Sequence, residues 1–130
     1  MPYAYDDQNI FAKILRGEIP NKTVMETEHS LAFHDIAPQA PQHVLVIPKG
    51  AYVTFDHFAA EATEAEITDY IRTIGEVARR MGVTPDAGDG YRMLSNAGQD
   101  GHQEVPHLHV HIFAGSFLGR MIDVPGHGDG

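Results

Sequence analysis

The stretch His107-Leu108-His109-Val110-His111-Ile112-Phe113 decides how this chain is read. Histidines and apolar residues alternate through it, inside a run from Val105 to Phe113 that is bounded by Pro106 and Gly115. Side chains on a strand alternate between the two faces of a sheet, so this spacing puts all three imidazoles on one face. Leu108, Val110 and Ile112 then point the other way, into a core. On a helix the same residues would fan out by about 100° per step and could not converge. Imidazole is the side chain whose charge changes near neutral pH, and it can serve as nucleophile, acid, base or metal ligand. The strand is therefore a candidate site.

The rest of the composition narrows what such a site can serve. A chain of 130 residues, 42% hydrophobic and 21% charged, is one domain of ordinary size with a single core and a soluble composition. No apolar run approaches the roughly 18 residues that span a bilayer, so no membrane partner is expected. Met1 to Asp7 is polar and acidic, unlike a secretory signal. The absence of cysteine excludes disulfides, thiolate metal sites and a cysteine nucleophile, and fits a cytoplasmic location. A formal charge of -9 argues against wrapping a nucleic-acid backbone, though one locally cationic pocket can still take a small phosphorylated ligand. A small molecule is the expected target.

The elements follow from periodicity. Gln8 to Arg16 reads as a short helix with Ile10, Phe11, Ile14 and Leu15 as its apolar stripe and Gly17 as its stop. Thr23 to Glu26 and Ser30 to His34 read as short strands. Pro38 and Pro41 stiffen a loop before a buried strand from His43 to Ile47, closed by Pro48. Ala60 to Met81 reads as one long helix, with Ile67, Tyr70, Ile71, Ile74, Val77, Ala78 and Met81 in a continuous stripe. Acidic residues crowd its first half and Arg79 and Arg80 its last turn. Tyr91 to Asn96 reads as a further strand, and the tail after Gly119, about residues 120–130, as frayed. With no internal boundary, residues 1–130 form a single α+β domain: an antiparallel sheet of about five strands, one long helix and a short N-terminal helix.

Two chemistries use strand histidines at this spacing. The imidazoles can hold a divalent ion with a position left for water, or a neutral ring nitrogen can attack phosphorus and form a phosphohistidine-type intermediate. The segment Asn96 to Gln103 is rich in small and amide residues, the type that presents backbone N–H groups to an anion. A metal site would more naturally supply supporting carboxylates. Glu104 is near, but strand alternation puts it on the opposite side from His107 if the strand already starts there. His43 reaches the cluster if its strand pairs with the triad strand.

The triad stretch resembles the signature of the histidine triad (HIT) family of nucleotide-binding hydrolases and transferases. So do Asn9 to Ile14 with Gly17 to Pro20, Leu31 to Pro41, and His43 to Lys49, in the same order along nearly the whole chain. The resemblance implies a HIT-like fold, a homodimer, and the branch that cleaves purine nucleoside 5′-phosphoramidates and related aminoacyl-adenylates through a covalent nucleotidyl-histidine. It makes His109 the nucleophile and His107 the residue that helps orient it. His111 becomes the phosphate contact and His43 the supporting histidine. Asp35 falls on the ribose-binding carboxylate, Phe33, Ile36, Phe11 and Ile14 on the walls of the nucleoside pocket, and Asn96 and Gln103 on polar groups around the phosphate. It implies neither cofactor nor metal. Glu104 stands where that branch has Ser, His102 where it tends to have Gly, and the segment after Gly119 lacks the branch's aromatic ending; these departures bear on the leaving group. The alternatives are a dinucleoside polyphosphate hydrolase or nucleotidylyl transferase of the same family, a zinc-dependent hydrolase, and a non-catalytic nucleotide-binding module.

Overall fold

In the computed structural model, which describes residues 3–126, the strand expected to be buried sits at the middle of the sheet. The elements are α1 (Ile10–Leu15), β1 (Thr23–Glu26), β2 (Ser30–His34), β3 (Gln42–Pro48), α2 (Phe55–Glu61), α3 (Glu64–Arg80), β4 (Arg92–Leu94) and β5 (Val110–Ala114). The strands form one five-stranded sheet in the order β1-β2-β3-β5-β4, every neighbouring pair antiparallel. β3 reads as a nearly unbroken apolar run because the sheet is covered on both faces. On one face Val44 and Val46 join Leu108, Val110 and Ile112 under Tyr70, Ile74 and Val77 of α3. On the other, Leu45 and Ile47 join Leu31 and Phe33 under Phe11 and Ile14 of α1. Register places Leu45 opposite His111 and His43 opposite Phe113, so these side chains share the α1 face.

The long helix departs from expectation. It is two helices, with Ala62 in extended backbone between them. Thr63 caps α3: its hydroxyl accepts the Glu66 N–H while the Glu66 carboxylate accepts the Thr63 N–H. This reciprocal pair satisfies two donors that a continuing helix would otherwise have bonded. Ile71, within the apolar stripe, is exposed. α3 is tied to the sheet by polar contacts as well: the Tyr70 hydroxyl donates to the Val46 carbonyl at 2.7 Å, and one Asp69 oxygen accepts from Thr27 and Ser30 hydroxyls at 2.7 and 2.6 Å.

The triad strand is shorter than the alternation suggests. Its ladder begins at Val110, opposite Val46. β3 ends at Pro48, which has no N–H to extend the pairing. The main chain ahead of β5 bonds elsewhere instead, Leu108 N–H to the Tyr52 carbonyl at 2.8 Å and the His109 carbonyl to the Ser95 hydroxyl at 2.8 Å. The strand expected over Tyr91 to Asn96 is likewise reduced to Arg92–Leu94. Arg92 donates to the carbonyls of Gly119 and Arg120, so the tail expected to fray is held at its start. Its last four residues lie outside the described range.

Replacing Asp69 by Ala removes the acceptor for a fully buried serine hydroxyl, and we expect a loss of about 1–2 kcal/mol. Denaturant unfolding checks this, with Asp69→Asn expected to fall between the parent and Asp69→Ala.

Candidate active site

Each imidazole of the cluster is bonded in a way that fixes which nitrogen carries its proton. His107 is completely buried, with Nε2 2.8 Å from the Pro48 carbonyl. A carbonyl can only accept, so His107 carries its proton on Nε2 and its Nδ1 lone pair accepts the Tyr5 hydroxyl at 2.6 Å. His109 Nδ1 lies 2.7 Å from the carbonyl of His107, so that nitrogen is protonated and Nε2 keeps a lone pair. On the neighbouring strand, His43 Nδ1 accepts the Gln39 N–H at 3.1 Å, which leaves the proton on Nε2. That Nε2–H donates to His111 Nδ1 at 2.9 Å, and His111 in turn carries its proton on Nε2. One ring therefore presents a bare lone pair and another presents an N–H donor. Their centroids are 4.9 Å apart.

Burial keeps these rings neutral. Desolvation lowers His107 to about 4 against the ordinary 6.5, opposed by its bond to the Pro48 carbonyl. It lowers His111 to about 4 as well, reinforced by the neighbouring His109 and His43. His109 and His43 shift the same way for the same first cause, with Asp35 opposing in both.

Potential ligand atoms of Asp35, His43 and His111 lie within 4.8 Å of one another, the donor set of a two-histidine, one-carboxylate metal site. The hydrogen-bond directions do not fit an ion there. His43 would have to ligate through Nε2, which carries the proton, while its Nδ1 faces an N–H donor and cannot take that proton. His107 is no better placed, because both of its nitrogens are engaged. The Asp35 carboxylate is partly engaged as well, since one oxygen accepts the Ala37 N–H at 2.8 Å and the other lies 3.4 Å from His43 Nε2.

The cluster opens into a cleft of about 520 Å³. Phe11, Ile14, Phe33, Asp35, Ile36, Asn96, Glu104, His109 and His111 all line it, so most of the expected site residues converge. Phe11 packs edge-on against His109, centroids 4.9 Å apart. Ile36 is 92% exposed at the rim, an apolar side chain that a flat ligand would cover. Gln103 departs from expectation. Gln103 is not among the lining residues: its amide donates to the carbonyls of Val53 and Val105 and its oxygen accepts the Gly98 N–H, so it braces the loop. Glu104 lines the cleft: β5 starts only at Val110, and the bend at Val105 to His107 means that strand alternation does not reach back to it. Its carboxylate lies 2.8 Å from Nε2 of His102, whose φ of 58° is unusual for a residue other than glycine. His102 also lines the cleft. The residues that sequence reasoning missed are Tyr5, Gln39 and Pro48. Two of them act through main-chain atoms, which no side-chain pattern reveals; the tyrosine-bearing segment before α1 carries no periodicity.

A family model described as the HIT domain matches residues 16–118. An uncharacterised 13.2 kDa HIT-like protein of Azospirillum brasilense is 65% identical over 122 residues, covering 94% of this chain and 98% of that one. The purine nucleoside phosphoramidase of Escherichia coli K12 is 39% identical over 116 residues, covering 89% and 94%. Among solved structures, a histidine triad protein from Clostridium difficile superposes with a TM-score of 0.76 at 40% identity, covering 88% of this chain and 96% of that one. A HIT family hydrolase from Legionella pneumophila superposes with a TM-score of 0.72 at 33% identity, covering 85% and 96%.

The lowered histidines set a pH signature for the ligand-free protein. The unfolded chain takes up protons as pH falls through 6.5, while folded His107 and His111 resist until about 4. Their contribution is therefore complete above 6.5 and is lost progressively down to about 4. Urea midpoints measured across this window are expected to fall; a flat profile would contradict the burial of neutral rings.

Proposed function

The chain belongs to the HIT domain family, and from that premise we propose that it hydrolyses purine nucleoside 5′-phosphoramidates or aminoacyl-adenylates through a nucleotidyl-His109 intermediate. The observation that carries this reading is the Nε2 lone pair of His109, on a ring that lines the cleft and whose other nitrogen is bonded to a carbonyl. A neutral imidazole with its Nδ1–H already paired can take on positive charge as Nε2 bonds to phosphorus, because the carbonyl bond strengthens as the charge develops.

With a phosphoramidate, His109 Nε2 forms a bond to phosphorus, the P–N bond of the substrate breaks, and the departing nitrogen takes a proton from solvent to leave as an amine. Water then attacks the same phosphorus, the phosphorus–His109 bond breaks, the nucleoside monophosphate departs and the water's proton returns to solvent. Two inversions give net retention at phosphorus. His111 donates its Nε2–H to a phosphoryl oxygen, held in that role by His43 through Nδ1. Asp35 accepts from the ribose hydroxyls with the lone pairs its main-chain contact leaves free. Phe11, Ile14, Phe33 and Ile36 enclose the base, and Asn96 sits beside the phosphate. Glu104 on the cleft wall disfavours a polyphosphate leaving group by charge and tolerates an amine, which supports the phosphoramidate reading over a dinucleoside polyphosphate hydrolase or nucleotidylyl transferase. No cofactor enters these steps. We also propose a homodimer, supported by the edge strand β4, along which Tyr91 and Met93 are exposed; sedimentation as a monomer would contradict it.

Release of AMP from adenosine 5′-phosphoramidate in EDTA tests the activity. The parent is expected to turn over and His109→Ala to lose at least about a thousandfold. Activity that disappears in EDTA and returns with zinc would favour the metal alternative. Nucleotide binding with no turnover in the parent would favour the non-catalytic one.

A further inference from the structure

The residues before α1 do more than lead into a helix. The Tyr3 ring stacks on His57 with centroids 4.7 Å apart, and its hydroxyl donates to Asp56 in the first turn of α2. Asn9, the cap of α1, donates from its amide to the Asp6 carbonyl at 2.7 Å. Between these two anchors the chain crosses His107, and there Tyr5 places its hydroxyl 2.6 Å from His107 Nδ1, with the rings edge-to-face at 5.5 Å. His107 is not in the cleft lining. Its carbonyl accepts Nδ1–H of His109, and its ring packs edge-to-face on Phe11, which also contacts His109.

We infer that Tyr5 is a positioning residue of the active site, which fixes the ring of His107 and through it the carbonyl that orients His109. This rests on His109 being the nucleophile. Hydrogen-bond direction decides the role of the hydroxyl, because a neutral His107 has two tautomers. With the proton on Nδ1, that hydrogen would face the hydroxyl, and the Pro48 carbonyl would lose its donor in a buried site. With the proton on Nε2, both contacts are satisfied together: Nε2–H to Pro48 and Tyr5 O–H to Nδ1. The Pro48 carbonyl thus selects the second form, and the Tyr5 hydroxyl, which can donate or accept, donates to the Nδ1 lone pair that this form would otherwise leave bare. Coverage alone would not need the oxygen, since phenylalanine would fill the same edge-to-face position.

Tyr5→Phe separates the two roles. Its kcat on adenosine 5′-phosphoramidate is expected to fall about tenfold with KM within about twofold, the size of one hydrogen bond used in reaching the transition state. In ligand-free protein with 15N-labelled histidine, long-range proton–nitrogen correlation is expected to show His107 protonated on Nε2. Its Nδ1 resonance should move downfield in Tyr5→Phe as the bond is lost. A Tyr5→Phe kcat equal to the parent's, or a parent spectrum with His107 protonated on Nδ1, overturns the inference. The parent spectrum needs neither turnover nor a well-folded variant. A parent that cleaves no phosphoramidate would sink the proposed activity and leave the spectrum to decide the Tyr5–His107 contact.

Discussion

A carbonyl oxygen can accept a hydrogen bond and cannot donate one, and two such oxygens, on Pro48 and His107, set the polarity of the triad. The first fixes His107 and the second fixes His109, leaving one nitrogen of the latter without a proton. In the loop before the adjoining strand, the Gln39 N–H does the same for His43 with the opposite sign and so passes a donor on to His111. The side chains are imidazoles, but the main chain decides which nitrogens keep a lone pair and which carry a proton. This is why the ends of the strands matter: Pro48 closes β3, and its carbonyl is the one His107 takes.

The second constraint is the double-sided sheet. Burying Leu108, Val110 and Ile112 under α3 pins the segment from one side, and Phe11 of α1 closes over His109 from the other. The same closure strips water from the rings and lowers their basicity, which keeps them neutral, the state the proposed attack on phosphorus requires. Packing and reactivity are thus consequences of one arrangement. The exposed Ile36 and the carboxylates of Asp35 and Glu104 mark where the enclosure opens for a ligand.

Much of this is legible in the sequence. Period-two alternation identifies the triad face, and the apolar run from His43 to Ile47 identifies the strand beside it. The T-x-x-E pattern from Thr63 to Glu66 also announces a helix start, but the longer apolar stripe of α3 outweighs it and makes two helices read as one. Glu104 falls on the wrong side when alternation is extended through Pro106 into a bend. Residue type misleads at Gln103, an amide near an expected anion whose partners are carbonyls far along the chain at Val53 and close by at Val105. Tyr5 lies 102 residues from its partner, a separation at which no local pattern carries information.

Neutron diffraction from deuterium-exchanged crystals of the ligand-free protein near neutral pH tests the central claim most directly, because it locates the protons themselves. Deuterium is expected on Nδ1 of His109 and on Nε2 of His43, His107 and His111, with none on Nε2 of His109. Deuterium on Nε2 of His109 would mean that the ring offers no lone pair to phosphorus, and would contradict the assignment of His109 as the nucleophile.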